Sequence, residues 1–164
     1  MPDAGMSNAP IRCSSITDCP SGFYCGKAAC GDRAGTCELV PAECPDDDAP
    51  VCGCDRINYY NDCLREAAGV EAASSGVCSY DRGTTCGGMK NIPCPEGSLC
   101  GRFVGPGPCP MDAMGSCWVI PATCPGPSKT KPEWDSCSFS GLKCVDSCTA
   151  IRTGGAYHHA FMCQ

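Results

Sequence analysis

Twenty cysteines in 164 residues, about 12% of the chain, are the residues whose number and spacing could do chemistry. At that density a short chain reads as a disulfide scaffold, and such bridges need an oxidising compartment. The rival use of cysteine is metal binding, and structural zinc sites usually show Cys-x-x-Cys pairs. None occurs; the closest pair is Cys52-Gly53-Cys54, and the spacings are mostly five to nine residues. Neither a metal nor a cofactor is expected. The two histidines, His158 and His159, are adjacent. Neighbours in an extended strand face opposite sides, so they read as a surface pair near the C-terminus. No nucleophile-elbow motif accompanies them, and no enzyme activity is expected.

The cysteines recur. They fall at 13, 19, 25, 30, 37, 44, 52, 54, 63 and 78, and again at 86, 94, 100, 109, 117, 124, 137, 144, 148 and 163. Each half holds ten, an even number that can close on itself. Cys52, Cys63 and Cys78 shifted by 85 give Cys137, Cys148 and Cys163. Local sequence repeats too: Gly35-Thr36-Cys37 and Pro41-Ala42-Glu43-Cys44-Pro45 match Gly115-Ser116-Cys117 and Pro121-Ala122-Thr123-Cys124-Pro125. Self-similarity of this kind marks a tandem duplication. The expected organisation is a flexible N-terminal tether over 1–12, a first module over 13–78, a linker over 79–85 and a second module over 86–163.

These cysteines must be positioned by very little else. Leu, Ile, Val and Phe together number 21, about 13% of the chain. So few large side chains cannot offset the roughly 1–2 kcal/mol of conformational entropy that each ordered backbone residue costs. Bridges restrict the unfolded chain instead, at roughly 2–4 kcal/mol each. With 20 Gly and 15 Pro, the fold class is small and disulfide-rich: two tandem modules of short β-hairpins with one short helix each and little regular core. In the first module Asn61-Asp62 can cap a helix over 63–68 that Gly69 stops, and 70–73 reads as a return strand.

The segment Val51-Cys52-Gly53-Cys54-Asp55-Arg56-Ile57-Asn58-Tyr59-Tyr60-Asn61-Asp62-Cys63, with Ala68-Gly69-Val70 and Gly76-Val77-Cys78, resembles the Kazal-type serine protease inhibitors. The likeness covers 37–78. The preceding 13–36 is similar to the small EGF-like or follistatin-like half that often precedes such a domain, and 117–163 is a degenerate second copy. The resemblance implies the bridges Cys44–Cys63 and Cys52–Cys78. The family's helix cysteine is replaced by Ala67, and Cys54 stands where many members carry Ser, which suggests Cys54 bonded to Cys37. In the second copy the place of Cys54 is Phe139 and a new Cys144 stands where the first has Tyr59. Cys117–Cys144 would restore the count, beside Cys124–Cys148 and Cys137–Cys163. The pairing of Cys13, Cys19, Cys25 and Cys30, and of Cys86, Cys94, Cys100 and Cys109, stays open.

By the same resemblance, the reactive loop is led by Cys44, Pro45, Asp46 and Asp47. Asp46 is the residue that would enter a protease pocket, and Asn61 braces the loop. An unpaired carboxylate in an acidic or apolar pocket costs several kcal/mol, so inhibition of trypsin-like or chymotrypsin-like enzymes is not expected. A protease with a basic pocket, cleaving after acidic residues, is the target class that stays open. In the second copy the loop equivalents are Gly126 and Pro127, and Asp146 replaces the bracing Asn. Tyr59, Trp118 and Phe161 read as miniature core, and Trp134 as a partner-contact or packing anchor.

Net charge is −6 with a pI near 4.7 and no Lys/Arg cluster. A nucleic-acid or anionic-membrane partner is therefore disfavoured, and no apolar stretch is long enough for a membrane span. The expected partner is a protein, with self-assembly as the other use. The expected location is extracellular, periplasmic or cell-surface. No leader is visible in Met1–Gly5, which suggests a mature form whose leader gave way to Met1. The Pro-Asp-Ala-Gly start resembles the tether that follows the lipid-bearing cysteine of some bacterial lipoproteins, which implies a lipid tether upstream. The function expected is that of an extracellular Kazal-like protein-binding protein, with a non-inhibitory structural or adhesive component of a surface assembly or filament as the alternative.

Overall fold

Two glycines, one in each half of the chain, set the backbone spacing of the molecule's two main hairpins. A Cβ on Gly35 would lie 2.2 Å from the Gly26 carbonyl oxygen, and a Cβ on Gly115 would lie 2.3 Å from that of Gly101. The computed structural model describes residues 9–105, 109–110, 112–126, 129–138, 144–160 and 163. Residues 1–8 of the expected tether, and Pro127, Phe139 and Phe161, lie outside the described residues.

The first half begins with β1 (Arg12–Cys13), a 3₁₀ turn (Ile16–Asp18), β2 (Phe23–Gly26) and β3 (Gly35–Leu39). These form a three-stranded antiparallel sheet in the order β1-β3-β2. Then come β4 (Val51–Gly53), β5 (Asn58–Tyr59), helix α1 (Asp62–Ala67) and β6 (Ala72–Ser75). Helix α1 starts where a cap was available: Asn61 accepts a hydrogen bond from Leu64 N at 3.0 Å. It ends before Gly69, whose φ of 67° suits a left-handed stop. The return strand sits two residues later than expected, at 72–75, because Val70 N is held by Arg65 O and Cys54 N takes Glu71 O.

The second half holds β7 (Thr85–Gly87), β8 (Leu99–Val104), β9 (Met114–Val119), β10 (Trp134–Ser136), helix α2 (Ser147–Thr153) and β11 (Ala156–His159). Asp146 caps α2, accepting from Thr149 N at 2.9 Å, and Gly154 closes it with φ 69°.

One larger sheet runs through both halves in the order β10-β11-β8-β9-β5-β4-β6, with β7 also on β9. The junction is β5 against β9, a parallel pair with Asn58 opposite Trp118 and Tyr59 opposite Val119. Asn58 is fully buried there: its amide donates to Cys117 O at 3.2 Å and its oxygen accepts from Cys78 N at 2.6 Å. Tyr60 N adds a bond to Val119 O. The segment 79–85 is a tight turn held by Arg56, whose Nε donates to Arg82 O and whose carbonyl accepts from Thr84 N. Thr85 already belongs to β7. The interior is small and aromatic, with Tyr59, Tyr60, Trp118 and Ile151 buried among the cystines. Among the described residues, no helix is long and apolar enough to cross a membrane.

All twenty cysteines are bridged, and every bridge closes within its own half. The first half forms Cys13–Cys25, Cys19–Cys37, Cys30–Cys54, Cys44–Cys63 and Cys52–Cys78. The second forms Cys86–Cys100, Cys94–Cys117, Cys109–Cys137, Cys124–Cys148 and Cys144–Cys163. Three expected bridges are therefore corrected. Cys37 bonds Cys19 and not Cys54, because β3 lies between β1 and β2 and the 3₁₀ turn after β1 carries Cys19 to it. Cys117 bonds Cys94 and not Cys144, the matching link on β9. Cys137 bonds Cys109, and Cys144 takes Cys163.

The last correction exposes a two-residue slip in the comparison of the halves. Cys137 does what Cys54 does, tying the strand end to the cysteine in the loop of the preceding hairpin, Cys30 between β2 and β3 and Cys109 between β8 and β9. The position equivalent to Cys52 is then Asp135: Cys52 pairs with Ser74 between β4 and β6, and Asp135 with His158 between β10 and β11.

Candidate functional site

The loop from Cys44 to Asp48 is fixed at both ends by one side chain. While Asn61 Oδ1 caps α1, its Nδ2 donates to Pro45 O at 2.8 Å and to Asp47 O at 3.2 Å. Cys44–Cys63 ties the loop's start to the same helix, and Ala49 N closes its end on Tyr60 O. The loop is thus pinned covalently and by three hydrogen bonds, without regular structure of its own. In the second half Asp146 caps α2 and also accepts from Thr149 Oγ1 at 2.8 Å. An ionised carboxylate has no hydrogen to donate, so it cannot hold loop carbonyls as Asn61 does.

The loop does not stand clear of the rest of the molecule. Lys129, in the long loop that follows Cys124, reaches Asp46 with Nζ 3.3 Å from Oδ2 and 3.4 Å from Oδ1. Both side chains are largely open to solvent, so the ion pair is worth no more than about 1 kcal/mol. Its value is positional: it marks where the two halves meet beside the loop. Asp48 is exposed as a residue, yet desolvation raises its carboxyl above the ordinary range. The Ser147 hydroxyl opposes that shift, and the charges of Glu133, Asp146 and Asp47 reinforce it. The loop therefore carries an acidic face against an acidic neighbourhood. Pro45, Asp47, Pro50, Asn61 and Asp62 line an open groove along its other side.

Trp134 is half-buried. Its ring lies 4.2 Å from Phe103, meets His159 edge-on at 5.7 Å, and its Nε1 donates to Ser147 Oγ at 3.1 Å. It packs β10 and β11 against β8 and α2, and Trp118 continues the cluster 6.1 Å from Phe103. His158 and His159 do turn to opposite faces: His159 to Trp134, His158 to the Cys109–Cys137 bridge with Nδ1 3.3 Å from Cys109 Sγ.

Among the described residues, the groups of His, Cys, Asp and Glu close enough to share an ion are four. Each includes at least two bridged cysteines: Cys13, Cys19 and Cys37; Cys86, Cys94 and Cys117; Cys109 and Cys137 with His158; Cys124 and Cys148 with Asp146. Only a thiolate is a useful sulfur ligand, and a cystine offers none.

Two residues that the sequence reading gave no role are Asn58 and Lys129. Asn58 stands three residues before Asn61 in the same Asn-Tyr-Tyr-Asn run, and an amide set between Ile57 and Tyr59 in an apolar strand segment was the available signal. Nothing local marked Lys129, whose partner is 83 residues away. No protein-family model matches the chain, and no solved structure matches its fold.

Proposed function

We propose that this is an extracellular protein-binding protein on a Kazal-like scaffold that has kept the braced loop but does not inhibit trypsin-like or chymotrypsin-like proteases through it. In this reading the chain is two tandem copies of one module, 13–78 and 86–163, with a helix in each, and the second copy has lost the brace. The supporting observation is the pairing of Asp46 with Lys129. The residue that an inhibitor would insert into a protease pocket is an acid, and its charge is directed at the neighbouring half of its own chain. Burying that carboxylate in an acidic or apolar pocket costs several kcal/mol, which a rigid loop does not recover. The ten bridges favour an oxidising location.

A panel of serine proteases with fluorogenic substrates tests this, including one that cleaves after Asp or Glu. The expected result is no inhibition of the trypsin-like and chymotrypsin-like members at micromolar protein. Tight inhibition of either, abolished by Asn61→Ala, would contradict it.

A self-assembling surface component is the second reading, favoured by β6. That strand ends the larger sheet, all four of its residues are exposed, and it carries neither Lys nor Pro, the usual protections of a free edge. Native size in solution separates the two: a filament or defined oligomer supports assembly, and a monomer supports binding.

A further inference from the structure

Strand β11 lies between β10 and β8, and His158 is its central polar residue. Its antiparallel partner on β10 is Asp135, and its parallel partner on β8 is Val104. The cystine Cys109–Cys137 joins the chain beyond β8 to the chain just after β10, so it crosses over β11 beside this histidine. His158 Nδ1 lies 3.3 Å from Cys109 Sγ and 3.9 Å from Cys137 Sγ, while its Nε2 lies 3.9 Å from Asp135 Oδ2. A carboxylate, an imidazole and a disulfide thus stand in line on one sheet face. The opposite face carries Trp134, Phe103 and His159. The charged groups that the flanking strands set on the histidine's own face are Asp135 from β10 and Arg102 from β8. The Arg102 guanidinium is turned to Asn91 Oδ1 at 3.2 Å.

We infer that Cys109–Cys137 is a thiol-exchange site. A low-molecular-weight thiol forms a mixed disulfide on Cys137, and Cys109 leaves as a thiolate beside His158. The attacking thiolate bonds Cys137 Sγ, the Cys137–Cys109 bond breaks, and its electron pair departs on Cys109 Sγ. The imidazolium Nδ1–H faces that sulfur and transfers its proton to it, while Asp135 balances the ring's charge from the other side. A second thiol molecule then attacks the sulfur bound to Cys137 and leaves with it as a small-molecule disulfide. Cys109 and Cys137 remain reduced, and the two thiols have supplied the two electrons. Stabilising the departing sulfur is what accelerates such exchange. Cys109 is the leaving side because it is the sulfur nearer the ring.

The first half contains its own control. Cys30–Cys54 occupies the equivalent place, and Cys30 is more exposed than Cys109 or Cys137. Both histidines of the chain lie in the second half, so Cys30–Cys54 has no imidazole of its own module. Exposure alone would make Cys30–Cys54 the faster bridge to open. The test treats the whole oxidised protein with reduced glutathione, quenches with an alkylating agent and follows each bridge by mass spectrometry of a non-reducing digest. Cys109–Cys137 is expected to open about tenfold faster than Cys30–Cys54, with glutathione on Cys137. The ratio of the two rates is expected to be larger at about pH 5.5 than at about pH 8.5, on either side of the range in which histidine as a residue type changes charge. His158→Gln is expected to bring the ratio near one. Equal or faster opening of Cys30–Cys54, glutathione on Cys109, or a ratio unmoved by His158→Gln would overturn the assignment. If that variant fails to form its bridges, a wild-type ratio independent of pH overturns it equally.

Discussion

Asn58 does at one residue what no cystine does, because it holds the two halves to each other. Its amide is wholly buried and satisfied at both ends, by Cys117 O and Cys78 N. Asn58→Ala strands both partners without water, at a cost of about 2 kcal/mol. Asn58→Asp is expected to cost more, since a carboxylate cannot donate to Cys117 O. Urea unfolding of the fully oxidised variants measures both. A second residue, Asp18, is exposed, and its carboxyl is lowered to about 2. The backbone N–H of Ser14 is the largest cause, followed by the Ser14 hydroxyl and the N–H of Ser15. A depressed carboxyl contributes stability that is present above the ordinary value near 4 and is lost as pH falls through the folded one. The turn after β1 should therefore begin to loosen as pH falls below about 4 and have lost this contribution below about pH 2. Ser14→Ala removes the hydroxyl bond alone, so the Asp18 titration followed by carbon NMR should move upward in part. At this scale the sequence was readable where a motif was local. Asn61, Pro45 and Asp47 stand within 16 residues of one another. The roles of Asn58 and Lys129 were not readable, because their partners are 59 and 83 residues away and nothing in composition encodes such a meeting.

The hairpins and caps are the elements that local chemistry determines. Gly35 and Gly115 recur in the two halves before Thr36-Cys37 and Ser116-Cys117, and the reason is steric. Each lies so close to a facing carbonyl that a methyl group would overlap it. Gly35→Ala and Gly115→Ala should each cost about 3 kcal/mol or more, by forcing the paired strands apart at their closest point. The yield of fully bridged protein after oxidative refolding, and its urea midpoint, check this. Helix α1 was legible from Asn61 and Gly69 because a cap and a stop are adjacent-residue signals. The bridging of Cys137 was not. Cys52 and Cys54 are two residues apart in extended chain, so both point to one face. A lone cysteine in the second half could stand for either. Spacing alone matched Cys137 to Cys52; the strand register matches it to Cys54 and leaves Asp135 facing His158. The slip that hid this bridge also hid the carboxylate–imidazole pair beside it.

At the scale of the molecule, rigidity has two sources that do different jobs. Covalent links close inside each half, ten bridges with none crossing, and replace the large apolar core that 21 Leu, Ile, Val and Phe residues cannot form. The sheet crosses where the cystines do not, through β5 on β9. The small, β-rich and disulfide-rich class followed from composition. The seam did not, since two short strands joining in parallel leave no periodic signature in sequence. Disulfide mapping of the natural oxidised protein, by mass spectrometry of a digest made without reduction, reads this division between cystines and sheet directly. The expected map joins Cys30 to Cys54, Cys109 to Cys137 and Cys144 to Cys163, with every other link inside its own half and no free thiol. A peptide joining a cysteine from 13–78 to one from 86–163, or a substantial fraction of free thiols, would contradict it.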